Sequence, residues 1–207
     1  MHDRVEISLI CQLNGPHSYD KYKKPRWGAV AGLDYALFRK GPAASNLIDV
    51  SAFWWGNRAE ALPDVQFFMV VGAGIEQGVD AVPGGNGCKV NLGQIRPRSR
   101  AEITLQSADP RVSPKIRPNY FSDPHDLDAV TDGGIFAVKV MDQPEMRRYI
   151  AQRQTPSPAV TRDGFRRFCQ SRFCQTGGPM QLFIRRAPAG RAATRWPCSI
   201  LSCGWMA

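Results

Sequence analysis

The sequence has few of the residues that would mark an obvious function. It holds three histidines, none beyond His125, so a histidine-rich metal or general-base cluster is not on offer late in the chain. Its longest apolar run, Phe67 to Val71, is far short of the roughly 20 residues a membrane helix needs. No basic end followed by an apolar block opens the chain, so a signal peptide is not expected and a cytoplasmic location is. Gly (19) and Pro (16) stay below the low-complexity range, which argues against collagen-like or wholesale disordered sequence. What is present is 207 residues, 43% hydrophobic, enough for one core but not for two full-sized domains.

Charge is unevenly distributed. Residues 1–161 carry 19 Lys+Arg against 17 Asp+Glu, whereas residues 162–207 carry 8 Arg against only Asp163. All seven lysines lie at or before Lys139, and four of the six cysteines (Cys169, Cys174, Cys198, Cys203) fall in the last 39 residues. The net charge of +9 therefore resides mostly in the last quarter, which reads either as an appended basic arm or as sequence never selected as protein. Its arginines do not share one helical face and no aromatic platform alternates with them, which argues against nucleic acid.

Periodicity predicts a mixed α+β domain ahead of that quarter. Residues 5–13 alternate as a strand and end at Asn14-Gly15-Pro16. A short helix is expected within residues 25–38, with Leu33, Leu37 and Phe38 on one face. Residues 47–55 read as a buried strand and 64–71 as another, followed by a glycine-punctuated loop over 72–87. Strands are expected at 90–95 and 101–106, on either side of the Arg96-Pro97-Arg98 turn, and at 115–120. Asp123-Pro124 starts a helix, Asp as N-cap and Pro in the first helical position. Leu127, Val130, Ile135, Val138 and Met141 form its stripe, Gly133-Gly134 must be held by packing, Pro144 breaks it, and residues 145–152 resume it. Strands followed by a long helix point to an antiparallel or mixed sheet with flanking helices.

Several motifs carry a functional reading beside a plain one. Gly72-Ala73-Gly74 and Gly78 after an apolar strand have the look of a dinucleotide loop. The spacing is GxGxxxG, and no apolar helix follows to hold a pyrophosphate, so strand and loop is the preferred reading. Cys169-x4-Cys174 and Cys198-x4-Cys203 lack the closer spacing of zinc knuckles, and no metal site is expected. His2, His17 and His125 are isolated. Phe53-Trp54-Trp55 sends neighbouring side chains to opposite faces of a strand, one of them core and the other free to line a pocket.

A set of motifs in order carries a resemblance. Gly41-Pro42-Ala43-Ala44-Ser45-Asn46, then Asp49, Ala52 and Phe53, is similar to a Gly-Pro-x-x-Ser-Asn segment of the glucose–methanol–choline (GMC) oxidoreductases, FAD-dependent flavoproteins. Pro63-Asp64-Val65-Gln66 resembles that family's Pro-Asp-x-Gln strand. Arg96-Pro97-Arg98-Ser99-Arg100, Ser107-Ala108-Asp109-Pro110, Pro118-Asn119-Tyr120-Phe121 and Asp123-Pro124-His125-Asp126 resemble the start of its C-terminal segment, and Met1-His2-Asp3 looks like the tail of an Asn-Leu-x-Asp-His stretch. The resemblance covers about residues 1–170. It implies a partial substrate-side domain, choline dehydrogenase-like, lacking the complete Rossmann FAD domain. It also implies a small alcohol as substrate, FAD as hydride acceptor, and pocket-lining roles for Ser45, Asn46, Asp49 and Phe53, with Asp49 suited by charge to a cationic substrate.

The family's His-Pro-x-Gly-Thr-Cys motif, whose histidine takes the hydroxyl proton, has no counterpart here, nor has its N-terminal Gly-rich FAD fingerprint. Permitted codons for residues 179–207, read two nucleotides later, can encode HAALHPPGTCRTGGDEMAVFDPELRVDG, which contains that motif. A reading-frame slip near residues 177–179 is therefore expected, with residues 171–207 a basic, Cys-rich, disordered tail. No catalytic residue can be assigned, and the chain is expected to be inactive and to retain FAD poorly. Two rivals remain: a binding module whose basic tail grips nucleic acid or acidic lipid, and a zinc-stabilised regulator.

Overall fold

The structure is a computed structural model that describes residues 2–73, 82 and 85–176, without the side chains of Asp49 and residues 172–176. In chain order the elements are β1 (Glu6–Leu13), α1 (Pro25–Phe38), β2 (Ile48–Trp54), β3 (Val65–Val70), β4 (Gly87–Gln94), β5 (Glu102–Thr104), β6 (Lys115–Arg117), α2 (Pro124–Met141), α3 (Pro144–Arg147), β7 (Ile150–Thr155) and α4 (Arg162–Thr176). Five strands form one sheet in the order β2-β3-β4-β1-β7, and β5 pairs with β6 in a separate ribbon. Every strand pairing among the described residues is antiparallel.

Strand alternation sorts the large sheet into two faces. One face presents Ile7, Leu9, Cys11, Leu13, Val65, Phe67, Cys88, Val90 and Leu92, all buried in the main core. Helix α2 lies across that face and adds Leu127, Val130, Ala137, Val138 and Met141. Asp123 caps α2, its side chain accepting from His125 N–H at 2.9 Å, and Pro124 follows at the first helical position.

The glycine pair inside α2 is explained by close approach. A Cβ on Gly134 would stand 2.1 Å from the Phe165 ring, and one on Gly133 would stand 3.3 Å from Leu92 and Val65. The helix loses propensity here and gains contact with α4 on one side and the sheet on the other.

At four places the structure corrects or adds to what the sequence suggests. The strand at 47–55 is an edge strand, not a buried one: Ile48, Val50 and Phe53 are exposed. The apolar face of α1 is exposed too, Leu33, Leu37 and Phe38 included. The strands flanking the Arg/Pro turn do not pair, since β4 belongs to the large sheet and β5 to the ribbon. Residues 145–152 do not resume the helix: α3 ends at Arg147 and the chain enters β7, an edge strand on β1.

Helix α4 lies across the expected boundary at residue 170. Phe165 and Cys169, one turn apart, pack into the core. Arg162 reaches Asp132 at 2.6 Å and Asp128 at 3.2 Å, and Arg166 also pairs with Asp128. The first arginines of the basic quarter thus match an acidic face of α2. Residues 177–207, with Cys198, Cys203 and the expected slip, lie outside the described residues, as do 74–81, 83 and 84 of the glycine-rich loop.

Candidate functional site

The second face of the sheet carries the unusual chemistry. Reading across the register, one row holds Phe53, Gln66, Gly93 and Glu6; the next holds Ser51, Phe68, Asn91 and Ser8; the third holds Val70, Lys89 and Ile10. Glu6, Lys89 and Asn91 are buried, Ser8, Gln66 and Phe68 half-buried, and Ser51 and Phe53 exposed. A face packed only for stability would not concentrate an acid, a base, an amide and a hydroxyl, because each loses hydration on burial.

These groups hold one another in part. Ser8 Oγ donates to Asn91 Oδ1 at 2.7 Å across the β1–β4 pair. Burial raises the Glu6 carboxyl to about 7 against the attraction of Lys89. Burial likewise lowers the Lys89 ammonium to about 8, with the Glu6 and Asp20 carboxylates opposing. Glu6 Oε1 is buried and, among the described residues, accepts no hydrogen bond. It is a buried acceptor on a face whose first two rows are lined by polar and aromatic side chains, and a hydroxyl or cationic ligand would satisfy it. At the third row, Asp20 Oδ2 accepts from Ala73 N–H and Gly87 N–H, both at 3.2 Å, and so pins the two ends of the connection from β3 to β4.

The residues singled out in the sequence divide. Phe53 stands on this polar face, 56% exposed, beside Gln66. Ser45 and Asn46 precede β2, which begins at Ile48 after Leu47 with its left-handed backbone (φ 67°), so neither lies on the strand that carries Phe53. Both shape the turn into the strand: Ser45 Oγ accepts from Leu47 N–H at 3.0 Å and Asn46 Oδ1 from Ile48 N–H at 3.1 Å. Asp49 lies in β2 at the register shift between Ile48 and Val50, and its side chain lies outside the described residues. Of the three whose side chains are described, the structure brings Phe53 alone onto the polar face.

Glu6, Ser8, Lys89 and Asn91 were missed although their signal was legible. Each alternates with apolar neighbours, Glu6 and Ser8 between Val5, Ile7 and Leu9, Lys89 and Asn91 between Cys88, Val90 and Leu92. Alternation alone reads as a solvated outer face, whereas Glu6, Lys89 and Asn91 are buried in the folded chain.

Other candidates are structural. A cleft of about 570 Å³ on the helix side is lined by Trp54, Trp55, Arg58, Asp128, Phe136 and Arg162. Its acid groups are paired with arginines, Trp54 stacks on Phe136 at 4.3 Å, and Arg58 lies 4.4 Å over Trp54. Cys169 is a core residue whose thiol burial pushes up to about 12, a poor start for a zinc thiolate. His125 sits 3.7 Å from Glu60 and 4.0 Å from Asp64, and His17 packs edge-on against Tyr149. Among the described residues no cluster of ligand type forms a metal site.

An antiparallel sheet covered by helices on one face and polar on the other defines an α+β domain. Residues 97–180 match the family model of the GMC oxidoreductases. It is 30% identical over 165 residues to an alcohol dehydrogenase [acceptor] of Pseudomonas putida, covering 79% of this chain and 30% of that one. It is 31% identical over 167 residues to oxygen-dependent choline dehydrogenase 1 of Chromohalobacter salexigens, covering 79% and 29%. The fold matches a formate oxidase of Aspergillus oryzae RIB40, a protein whose FAD modification was probed by mutation, with a TM-score of 0.69, 19% identity, and coverage of 83% of this chain and 35% of that one. The chain spans about 30% of the length of the curated relatives it matches.

FAD itself does not fit the described residues. A dinucleotide cradle needs a strand, a glycine loop and a helix N-terminus within a parallel unit. Here β3 pairs antiparallel with both its neighbours, β2 and β4, so the strand ahead of the glycine-rich segment is not part of a parallel unit.

Proposed function

We propose that this chain is the substrate-side wall of an FAD-dependent oxidoreductase that oxidises the CH–OH group of a small, choline-type alcohol to the aldehyde. The observation that carries the reading is the polar sheet face, with buried Glu6 lacking a hydrogen-bond donor at Oε1 among the described residues. Phe53 and Phe68 supply apolar surface, Ser8 and Asn91 supply hydroxyl and amide, and Glu6 supplies an acceptor for a hydroxyl or an onium group. Asp49, Ser45 and Asn46 complete the wall at the far end of β2, Asp49 suiting a cationic group. The names of the relatives support alcohols or choline as the substrate class.

The 207-residue chain by itself binds FAD poorly and does not turn over, because neither the family's proton-abstracting histidine motif nor a phosphate cradle is present in what can be read of it. The two-nucleotide slip near residues 177–179 accounts for the missing motif, and the family match reaching residue 180 supports that position. A cytoplasmic location belongs to the same reading; no helix among the described residues is long and apolar enough to cross a membrane.

Purified chain should show no flavin absorbance and no alcohol-dependent reduction of an artificial acceptor after incubation with FAD. Sequencing the coding DNA should show the motif two nucleotides out of frame. A yellow, active preparation of the chain alone, or codons for 179–207 that do not encode the motif, overturns this reading.

A further inference from the structure

Cys11 and Cys88 are Cα partners in the β1–β4 ladder, on the helix-side face, and both are fully buried. The neighbouring bonds Leu13 N–H to Asn86 C=O and Gln94 N–H to Val5 C=O fix the phase of the ladder, so Cys11 and Cys88 occupy a hydrogen-bonded pair. Such pairs hold their Cα atoms about 5.5 Å apart, inside the span a disulfide bridges. Both residues are free thiols, and the Cys88 thiol hydrogen-bonds to the Cys11 sulfur.

The pair is asymmetric and lies beside a cleft. The hydrogen bond from Cys88 holds the Cys11 thiol below its ordinary range, against the effect of burial and with help from the Arg153 charge, while Asp142 opposes. The same bond and burial push Cys88 far up. Arg153 is the β7 partner of Cys11 in register and is itself buried. A cleft of about 370 Å³ lined by Met141, Arg147, Ile150 and Arg153 ends at Cys11, which is itself 0% exposed, so a small oxidant enters by local opening of this edge of the sheet. Cys169, the other described thiol, faces Thr131 and is no match for this arrangement.

We propose that Cys11 and Cys88 form a dithiol oxidation site, which hydrogen peroxide converts to a cross-strand disulfide joining β1 to β4. The Cys11 thiolate attacks one peroxide oxygen, the O–O bond breaks, and the departing hydroxide takes up the proton that Cys11 released, leaving as water. The Cys11 sulfenic acid is then attacked by the Cys88 sulfur; the S–S bond forms, the S–O bond breaks, and the hydroxyl leaves with the Cys88 proton as a second water. The two thiols lose two electrons and the peroxide gains them. The site is independent of the polar face and of the reading given to it.

Folded chain treated with hydrogen peroxide, then alkylated in denaturant and mapped by tandem mass spectrometry, is the test. The expected product is one linked peptide pair containing Cys11 and Cys88, about 2 Da lighter than the sum of its reduced peptides. Dithiothreitol should reverse it, with Cys169 alkylated throughout. In Cys88→Ala a sulfenic acid on Cys11 should be trapped by dimedone in place of the link; should that variant not fold, the wild-type map decides alone. Recovery of both cysteines in alkylated form, links to Cys169, Cys174, Cys198 or Cys203 instead, or an equal yield of the link in urea-unfolded chain would overturn the proposal.

Discussion

Glu6 and Lys89 occupy one buried sheet face with opposite burdens. The carboxyl of Glu6, near 4.5 in an unfolded chain, stands at about 7 when folded. Between those values the folded protein keeps a proton that the unfolded chain has lost, so stability falls as pH rises through this window. Lys89, lowered from 10.5 to about 8, gives the opposite slope from about 8 to 10.5. Glu6→Gln is expected to remove the loss between pH 4.5 and 7, a difference on the order of 2–3 kcal/mol in urea unfolding at pH 5 against pH 8. An unchanged slope in the variant would mean that Glu6 is hydrated in the folded state. Asp126 runs the other way. Burial pushes it up, yet hydrogen bonds from Arg98 N–H, Ser99 N–H and Gln94 Nε2, all at 2.8 Å, outweigh that and hold it below the ordinary carboxylate value. Its stabilisation is present above the ordinary carboxylate pKa and is lost as pH falls through the lower folded value. Asp126→Ala should therefore cost about 2–4 kcal/mol at neutral pH and flatten the acid limb of the unfolding curve.

At the scale of elements, α2 and α4 are coupled through a contact that leaves no room for a methyl group. Alanine normally stabilises a helix over glycine by about 1 kcal/mol. At Gly134 the added Cβ would enter the Phe165 ring, and Gly134→Ala is expected to destabilise by about 1–3 kcal/mol net, read as a lower urea midpoint at constant slope. Phe165→Leu in the same chain should recover part of that loss, since the clash is with the ring. The same contact shows why α4 escaped a reading of the sequence. Two apolar residues, Phe165 and Cys169, anchor a helix otherwise dominated by arginine, and its salt bridges run to Asp128 and Asp132 some 30 residues earlier. Strand β7 was hidden for a related reason: Ile150 leads a polar run whose register is supplied by β1 and whose Arg153 is buried against Asp142 and the Pro156 carbonyl.

For the whole molecule, the uneven charge has a partly structural cause. Arg162 and Arg166 neutralise the outer face of α2, so any basic arm begins later than the composition shift. The rival reading as a polyanion-binding module is separable from the oxidoreductase reading. Deleting residues 181–207 should leave the urea midpoint of the domain unchanged. It should also abolish salt-sensitive retention on heparin if the arm is the binding element. Retention unaffected by the deletion would place the binding on the domain itself.

Ordered motifs such as Ser107-Ala108-Asp109-Pro110 and Pro118-Asn119-Tyr120-Phe121 identified the family, and alternation identified β1, β3 and β4 with the start of α2, because those signals are local: a two-residue period, a capping aspartate, a proline at the first helical turn. Which face of a strand becomes core is not local. The alternation that makes Glu6, Ser8, Lys89 and Asn91 look like a solvated surface is the same whether or not the sheet is covered on that side. Ser45 and Phe53 are close in sequence but differ in role, because Ser45 shapes the turn before β2 while Phe53 stands on the strand itself. Cys11 and Cys88 are distant in sequence and paired because one antiparallel register aligns them. Register and covering are set by long-range packing, and only the tertiary structure decided them.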